Sequence, residues 1–239
     1  MAHAKSIETL ARNVIRELRK LTNPERQAAT LSYFPSAMEN LGVAVPDLRK
    51  VLRWAKAEAR GLEDAELLAL VQAIIDQATL EGRQLAYELL AARKSLLYGL
   101  TTTQAKRLGK GMDNWVSVDT FAVSITGQLW REHKLGDAEI LRWSRSRDRW
   151  WRRAALVSTI PLNMKSRGGT GDVERTMQLC EALADDEDEM VAKALSWALR
   201  ALIPVSPVHV EDFLADHDDI LASRVKREVR RKLETGKKH

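Results

Sequence analysis

The sequence predicts an all-α chain in which helix pairs recur along 239 residues. Three observations carry that expectation. Apolar residues return at i, i+3, i+4 and i+7 in segment after segment, and no segment shows the period-two alternation of a half-buried strand. Glycine (12) and proline (6) are sparse for this length, which favours helices over many short strands. The pairs begin at intervals of roughly 35 to 40 residues, the spacing of helical repeat proteins.

Each element has its local reason. Over residues 5–21, Ile7, Leu10, Ala11, Val14, Ile15 and Leu18 share one helical face. Asn23 and Pro24 stop that helix and start the next, the first as a cap and the second at the first helical position. The pattern predicts a helix over 26–38 that runs through Pro35, a turn at Gly42, and a restart at Pro46 with Leu48, Val51, Leu52 and Ala55 inward. Further helices are expected over 64–78, 82–92, 102–109, 113–132, 137–145, 148–160, 172–184, 189–202, 208–215 and 220–233, with short polar or Gly/Pro breaks between them. The clearest repeat unit is DDEDEMVAKALSWALRAL, a polar turn followed by an amphipathic helix, and EGRQLAYELLAARKSL is a weaker copy. The expected architecture is therefore HEAT-like helical repeats stacked into a curved superhelix, or solenoid, with a concave basic groove. It occupies residues 1–239 as one domain with a basic tail over 223–239; a non-repeat helical bundle is the alternative.

Composition narrows the function classes. With 45% hydrophobic and 30% charged residues the chain reads as an ordinary soluble globular protein. No run of 18 apolar residues and no leader pattern at the start is seen, so a cytoplasmic, non-membrane protein is expected. Cys180 is the single cysteine, and the five histidines are scattered, so neither an intramolecular disulfide nor a zinc site is expected. The stretch KSRGGTGD lacks the G-K-[ST] ending of a phosphate-binding loop and reads as a connector between repeats. No metal and no cofactor is expected, and nothing resembles a Ser/His/Asp or Cys/His arrangement.

Charge is segmental. Residues 142–153 hold six arginines against Asp148, and residues 223–239 hold eight Lys/Arg against two Glu, whereas residues 171–189 hold eight acids against Arg175. Such segregation allows one face to be basic and to meet a polyanion. Five of the seven tryptophans lie between Asn114 and Ala155, beside that arginine run.

Within this region Trp115 and Asp119 stand at i and i+4, one turn apart on one face, with Val118, Phe121, Ala122, Ile125 and Leu129 marking the buried arc. Asp119 falls at the edge of that arc, about 100° from Val118. An Asp there serves equally as the partner of a neighbouring Arg or as a half-desolvated carboxylate with chemistry to do. Arg153 lies alongside the apolar stripe, and Arg149 and Arg152 point elsewhere, so one can reach a phosphate while the others stay solvated. In the helix after the acidic turn, Lys193, Trp197 and Arg200 fall at roughly 200°, 240° and 180° from Val191, away from the core stripe. That Trp is either covered by the next repeat or exposed between two cations, as a nucleic-acid groove requires.

In their order and spacing these residues resemble the AlkD-like alkylpurine DNA glycosylases, a DNA alkylation repair family of HEAT-like repeat proteins. The resemblance rests on the tyrosine helix and G-V-x-x-P-x-L-R at residues 33–49, W-x-S-V-D at 115–119 with Gly127 beyond it, W-x-x-R-A-A at 150–155, and K-A-x-x-W-x-L-R at 193–200. It implies that Asp119 is the catalytic carboxylate, that Trp115 and Trp197 are the aromatic pair facing the lesion, and that Arg153 is the cation beside the damaged backbone. Tyr33 would be a further cleft-lining aromatic, and Lys193, Arg200, Arg149 and Arg152 candidate phosphate contacts. Val116 stands where many relatives carry Asp. The implied function is base excision repair by a monomer acting on double-stranded DNA: hydrolysis of the N-glycosidic bond of positively charged purines such as 3-methyladenine and 7-methylguanine, without flipping the base into a pocket. A non-catalytic HEAT-repeat protein binding branched or distorted DNA is the alternative, and a protein-interaction scaffold the third reading; neither requires the carboxylate.

Overall fold

A computed structural model describes residues 2–33 and 35–237. They fall into two compact units, residues 1–125 and 126–239. Among the described residues no strand occurs, and one isolated parallel bridge joins Glu39 to Thr79. The fold is an all-α helical repeat.

The first unit holds α1 (Ala2–Arg19), α2 (Pro24–Tyr33), α3 (Val45–Glu58), α4 (Asp64–Ile75), α5 (Leu80–Ala92), α6 (Lys94–Gly99), α7 (Thr102–Gly109) and α8 (Trp115–Phe121). Helix α5 is its centre, packed against α3, α4 and α8. Contact on several sides is why its buried residues, Glu81 and Arg83 among them, are not confined to one stripe. Leu85, Ala86, Tyr87 and Leu90 of α5, with Leu70, Val71 and Ile74 of α4 and Ala11, Val14 and Leu18 of α1, are excluded from solvent. Each large aliphatic so buried contributes about 1.5 to 3 kcal/mol.

Polar groups in this core are spent on fixing loops. Glu81, 8% exposed, accepts hydrogen bonds from the backbone N–H groups of Leu41 (3.0 Å) and Val43 (3.1 Å), which holds the chain between α2 and α3 against α5. The Tyr87 hydroxyl donates to the Leu108 carbonyl at 2.9 Å, and burial pushes its pKa up to about 12 despite the neighbouring Arg83 guanidinium.

The second unit contains α9 (Gly127–Arg131), α10 (Asp137–Ser144), α11 (Arg149–Val157), α12 (Ile160–Asn163), a 3-10 turn (Lys165–Arg167), α13 (Val173–Ala182), α14 (Glu189–Leu202), α15 (Pro207–Asp216) and α16 (Ser223–Thr235). Here α14 is central, packed on α11, α13 and α16. Val191, Ala194, Ala198, Leu199 and Leu202 form its sealed face. Cys180 on α13 is buried as well, and desolvation raises its thiol pKa well above the ordinary value. Among the described residues no helix is long and apolar enough to cross a membrane.

The repeat is read most directly from one set of helices. The starts of α3, α5, α8, α11, α14 and α16, at 45, 80, 115, 149, 189 and 223, are separated by 35, 35, 34, 40 and 34 residues. That is the interval anticipated from the sequence.

Four local expectations are corrected. The helix expected over 26–38 ends at Tyr33, short of Pro35, whose ring and missing N–H do not suit a helix interior. The helix expected over 113–132 is not continuous: α8 gives way to a π-helical turn, Ala122–Thr126, and then to α9. The helix expected over 148–160 stops at Val157, and α12 follows with Pro161 in its first turn. Finally, α6 was not anticipated, since six residues are too few to display a period.

Candidate functional site

In the first unit the site is built on α8. Asn114 has extended backbone angles and caps the helix by accepting the Ser117 N–H at 3.0 Å, while the Ser117 hydroxyl returns a bond to the Asn114 carbonyl at 3.0 Å. Just before the cap, the Asp113 carboxylate accepts the Ser36 hydroxyl (2.6 Å), the Ala37 N–H (2.5 Å) and the Asn114 amide (3.0 Å). Two of these contacts fasten the segment after α2 to the start of α8. Close by, Tyr33 meets Trp115 edge-on, with ring centroids 6.0 Å apart and planes at 90°. Tyr33 is 73% exposed.

Trp115 and Asp119 lie one turn apart, both half-buried, whereas Val118 and Phe121 point inward and are sealed. A carboxylate here is partly stripped of water. Val116 looks onto a cavity of about 110 Å3 shared with Arg26, Asn40, Glu81 and Gln84. The π-helical turn directly after α8 inserts an extra residue into the helical ladder, a device found often at functional sites.

In the second unit the candidate residues lie on α11 and α14, the equivalents of α8 in the next two repeats. Arg153 is 5% exposed and donates through Nη1 to the Met190 carbonyl at 2.5 Å. Arg152 is held by Asp186 (2.6 Å) and by the carbonyls of Ser146 (3.0 Å) and Arg147 (3.2 Å). Arg149 pairs with Asp188 at 3.3 Å and lies over the Trp150 ring at 4.8 Å. On α14, Lys193 pairs with Glu189 at 2.8 Å, and the hydrogen bond from Lys193 is the main reason the Glu189 pKa is lowered.

Arg200, with 10% of its side chain exposed, donates to the Ser196 carbonyl at 3.0 Å and faces Glu228 at 3.6 Å. Desolvation lowers its pKa, and the Glu228 charge opposes that shift. Burial alone would raise the Glu228 pKa, but the Ser196 hydroxyl at 2.7 Å and the guanidinium groups of Arg200 and Arg224 bring it below the ordinary value. Trp197 is half-buried and, with Arg200, lines a cleft of about 720 Å3.

These contacts change the meaning of the charge pattern. The acidic turn does not merely balance the arginine run at a distance: Asp186, Asp188 and Glu189 are the partners of Arg152, Arg149 and Lys193. The cations anticipated as phosphate contacts thus already have carboxylate partners, and Arg152 directs Nε, Nη1 and Nη2 to protein oxygens. Tyr33, Trp115 and Asp119 are grouped in the first unit; Trp197 and Arg200 share a cleft in the second. Sequence reasoning missed Asp113 and Ser36, whose 77-residue separation leaves no periodic trace. It also missed Lys165 and Lys232, which line the Trp197 cleft.

Among the described residues there is no group of three or more His, Cys, Asp or Glu able to hold a metal ion. No curated protein matches the sequence. A solved structure from Enterococcus faecalis, described as a predicted DNA alkylation repair enzyme, superimposes with a TM-score of 0.71 at 18% identity, covering 90% of this chain and 97% of that one. At such identity the likeness is one of fold. The family profile of the DNA alkylation repair enzymes matches residues 14–233. With its own helical repeat and nearly its whole length inside that profile, the chain belongs to the DNA alkylation repair enzyme family.

Proposed function

We propose that the protein is a monofunctional DNA glycosylase that excises cationic alkylated purines, of the 3-methyladenine and 7-methylguanine type, from duplex DNA. The observation that carries this reading is the Trp115–Asp119 pair on α8: an indole and a carboxylate one turn apart, both half-buried, with Tyr33 edge-on to the indole.

The chemistry suits so small a set of groups. A 3- or 7-alkylated purine bears a formal positive charge, so its glycosidic bond breaks with the electron pair leaving on the base, which departs neutral without protonation by the enzyme. The sugar left behind is oxocarbenium-like. Asp119 stabilises that cation and orients the water that adds to the anomeric carbon; the water's surplus proton passes to the carboxylate or to solvent. Indole faces favour the cationic base and sugar by roughly 0.5 to 2 kcal/mol each, which is the role given to Trp115 and, in the second unit, to Trp197. Arg153 holds the damaged strand, while Arg149, Lys193 and Arg200 exchange their intramolecular partners for phosphates when DNA binds. Arg152 is the weakest candidate for such an exchange, because the Asp186 carboxylate and two carbonyls already hold it. The proposed chemistry proceeds without base flipping, and the protein acts as a monomer in the cytoplasm, on the nucleoid.

The test is release of 7-methylguanine and 3-methyladenine from methylated duplex DNA. Wild type is expected to release both, and Asp119→Asn to lose at least a hundred-fold in rate, about 2.7 kcal/mol of transition-state stabilisation, while binding duplex DNA as before. Equal inactivity of both proteins with binding retained would leave the non-catalytic reading, a protein that recognises distorted DNA.

A further inference from the structure

The stretch KSRGGTGD, which the sequence presents as a simple connector, forms one wall of the cleft that contains Trp197. The cleft, about 720 Å3, is lined by Lys165, Ser166 and Thr170 from that loop, by Trp197 and Arg200 from α14, and by Lys232 from α16. Apolar side chains, Met164, Pro204 and Val205 among them, complete it. Among the described residues three cations and no carboxylate line this space. That sets it apart from the surface around α11 and the start of α14, where arginines and lysine meet acids.

The cations are not equivalent. Arg200 donates to the Ser196 carbonyl and faces Glu228. Lys232 donates to the Gly236 carbonyl at the end of its own helix. Lys165 is exposed, and no hydrogen bond or ion pair engages its ammonium group among the described residues.

The loop that carries Lys165 is held in place. Buried Asn163 donates to Thr176 at 2.8 Å and accepts the Asp172 N–H at 2.9 Å, and the N–H groups of Gly169 and Gly171 bond to the carbonyls of Met164 (3.0 Å) and Leu162 (2.9 Å). Gly171 has φ +101°, where a Cβ would lie 2.5 Å from Val205; a Cβ on Gly169 would lie 2.6 Å from the Leu162 backbone. Only glycine lets the loop fold so closely onto α12 and the end of α14. The wall is therefore formed before any ligand arrives.

An indole face beside two ammonium groups, one of them on a fixed wall, matches one nucleotide: a flat, apolar sugar or base surface with an anion at its edge. We infer that this cleft is a nucleotide subsite, in which Lys165 and Lys232 hold a backbone phosphodiester flanking the nucleotide that lies against Trp197. The inference rests on the DNA reading above and adds two phosphate-holding residues, Lys165 and Lys232, that it does not name.

Binding of the full-length protein to a duplex containing 7-methylguanine, measured by fluorescence anisotropy across a range of chloride concentrations, tests it. Lys165→Ala is expected to weaken binding several-fold at low salt and to reduce the slope of log K against log salt by about 0.9, the share of one phosphate contact. The double variant Lys165→Ala/Lys232→Ala reduces it by about twice that, and Lys165→Arg restores the wild-type slope. Lys20→Ala, which removes a lysine paired with Glu17 in the first unit, serves as the comparison. Equal slopes for wild type, Lys165→Ala and Lys20→Ala, with wild type binding firmly, would overturn the subsite alone. No salt-dependent duplex binding by wild type would overturn the DNA reading with it. Inorganic phosphate displacing the duplex far more effectively than chloride at matched ionic strength would assign the cleft to free phosphate and likewise overturn the inference.

Discussion

At the scale of single residues, Asp113 does more for the site than its distance from any reacting atom suggests. Its carboxylate receives three donors, two of them from the segment after α2, close to where Tyr33 meets Trp115. Asp113→Ala would strand the Ser36 hydroxyl and the Ala37 N–H. Hydrogen bonds to a charged group are worth about 1.5 to 3 kcal/mol, so a loss of about 2 kcal/mol in urea unfolding is expected, together with reduced excision at unchanged Asp119. Asp113→Asn keeps acceptor capacity and should recover most of both. Stability equal to wild type in Asp113→Ala would show that the tie is idle. The i, i+4 relation of Trp115 and Asp119 is visible in the string because it is local; the tie to Ser36 is not, because nothing in a one-dimensional pattern marks two polar residues so far apart. Arg152 and Arg200 illustrate the same limit, since their carboxylate partners, Asp186 and Glu228, lie on other elements.

At the scale of elements, legibility follows the caps. Helices α7 and α14 match the sequence expectation residue for residue, and both begin with chemistry that can be read directly: a reciprocal Thr101–Gln104 capping box in one, the Asp188 carboxylate on the Met190 (2.8 Å) and Val191 (3.4 Å) N–H groups in the other. Where punctuation is absent the reading slips. The apolar pattern runs without a break from α8 through the π-helical turn into α9, so a surplus residue in the hydrogen-bond ladder leaves no signal. Asp188 also pairs with Arg149, which gives it two tasks. Asp188→Ala is expected to cost about 1 to 2 kcal/mol by denaturant titration through loss of the cap, whereas Asp188→Ser should recover most of that stability while still releasing Arg149. If Arg149 is a phosphate contact, Asp188→Ser binds DNA at least as tightly as wild type.

At the scale of the whole molecule, a formal net charge of +5 conceals how the charges are spent. In the second unit Glu189, Asp218 and Glu228 all have lowered pKa values: Glu189 chiefly through its bond from Lys193, Asp218 through Arg230 and Lys226, and Glu228 through the Ser196 hydroxyl, Arg200 and Arg224, which in the last two outweigh the opposing effect of burial. A carboxylate that is more acidic folded than unfolded adds stability above its unfolded value and surrenders it as pH falls through the lowered, folded one. The urea midpoint should therefore hold steady near neutrality and decline below the ordinary carboxylate range, and Glu228→Gln should make that decline shallower while lowering the plateau. A midpoint that rises on acidification would contradict the assignment. Cys180 bears on the whole chain in another way. Methylating electrophiles, the agents that create the proposed substrate, attack thiolates readily, and the protein presents them with one thiol, enclosed by α13 and its neighbours and kept protonated by its surroundings. The reagent therefore finds no sulfur anion at Cys180 to consume.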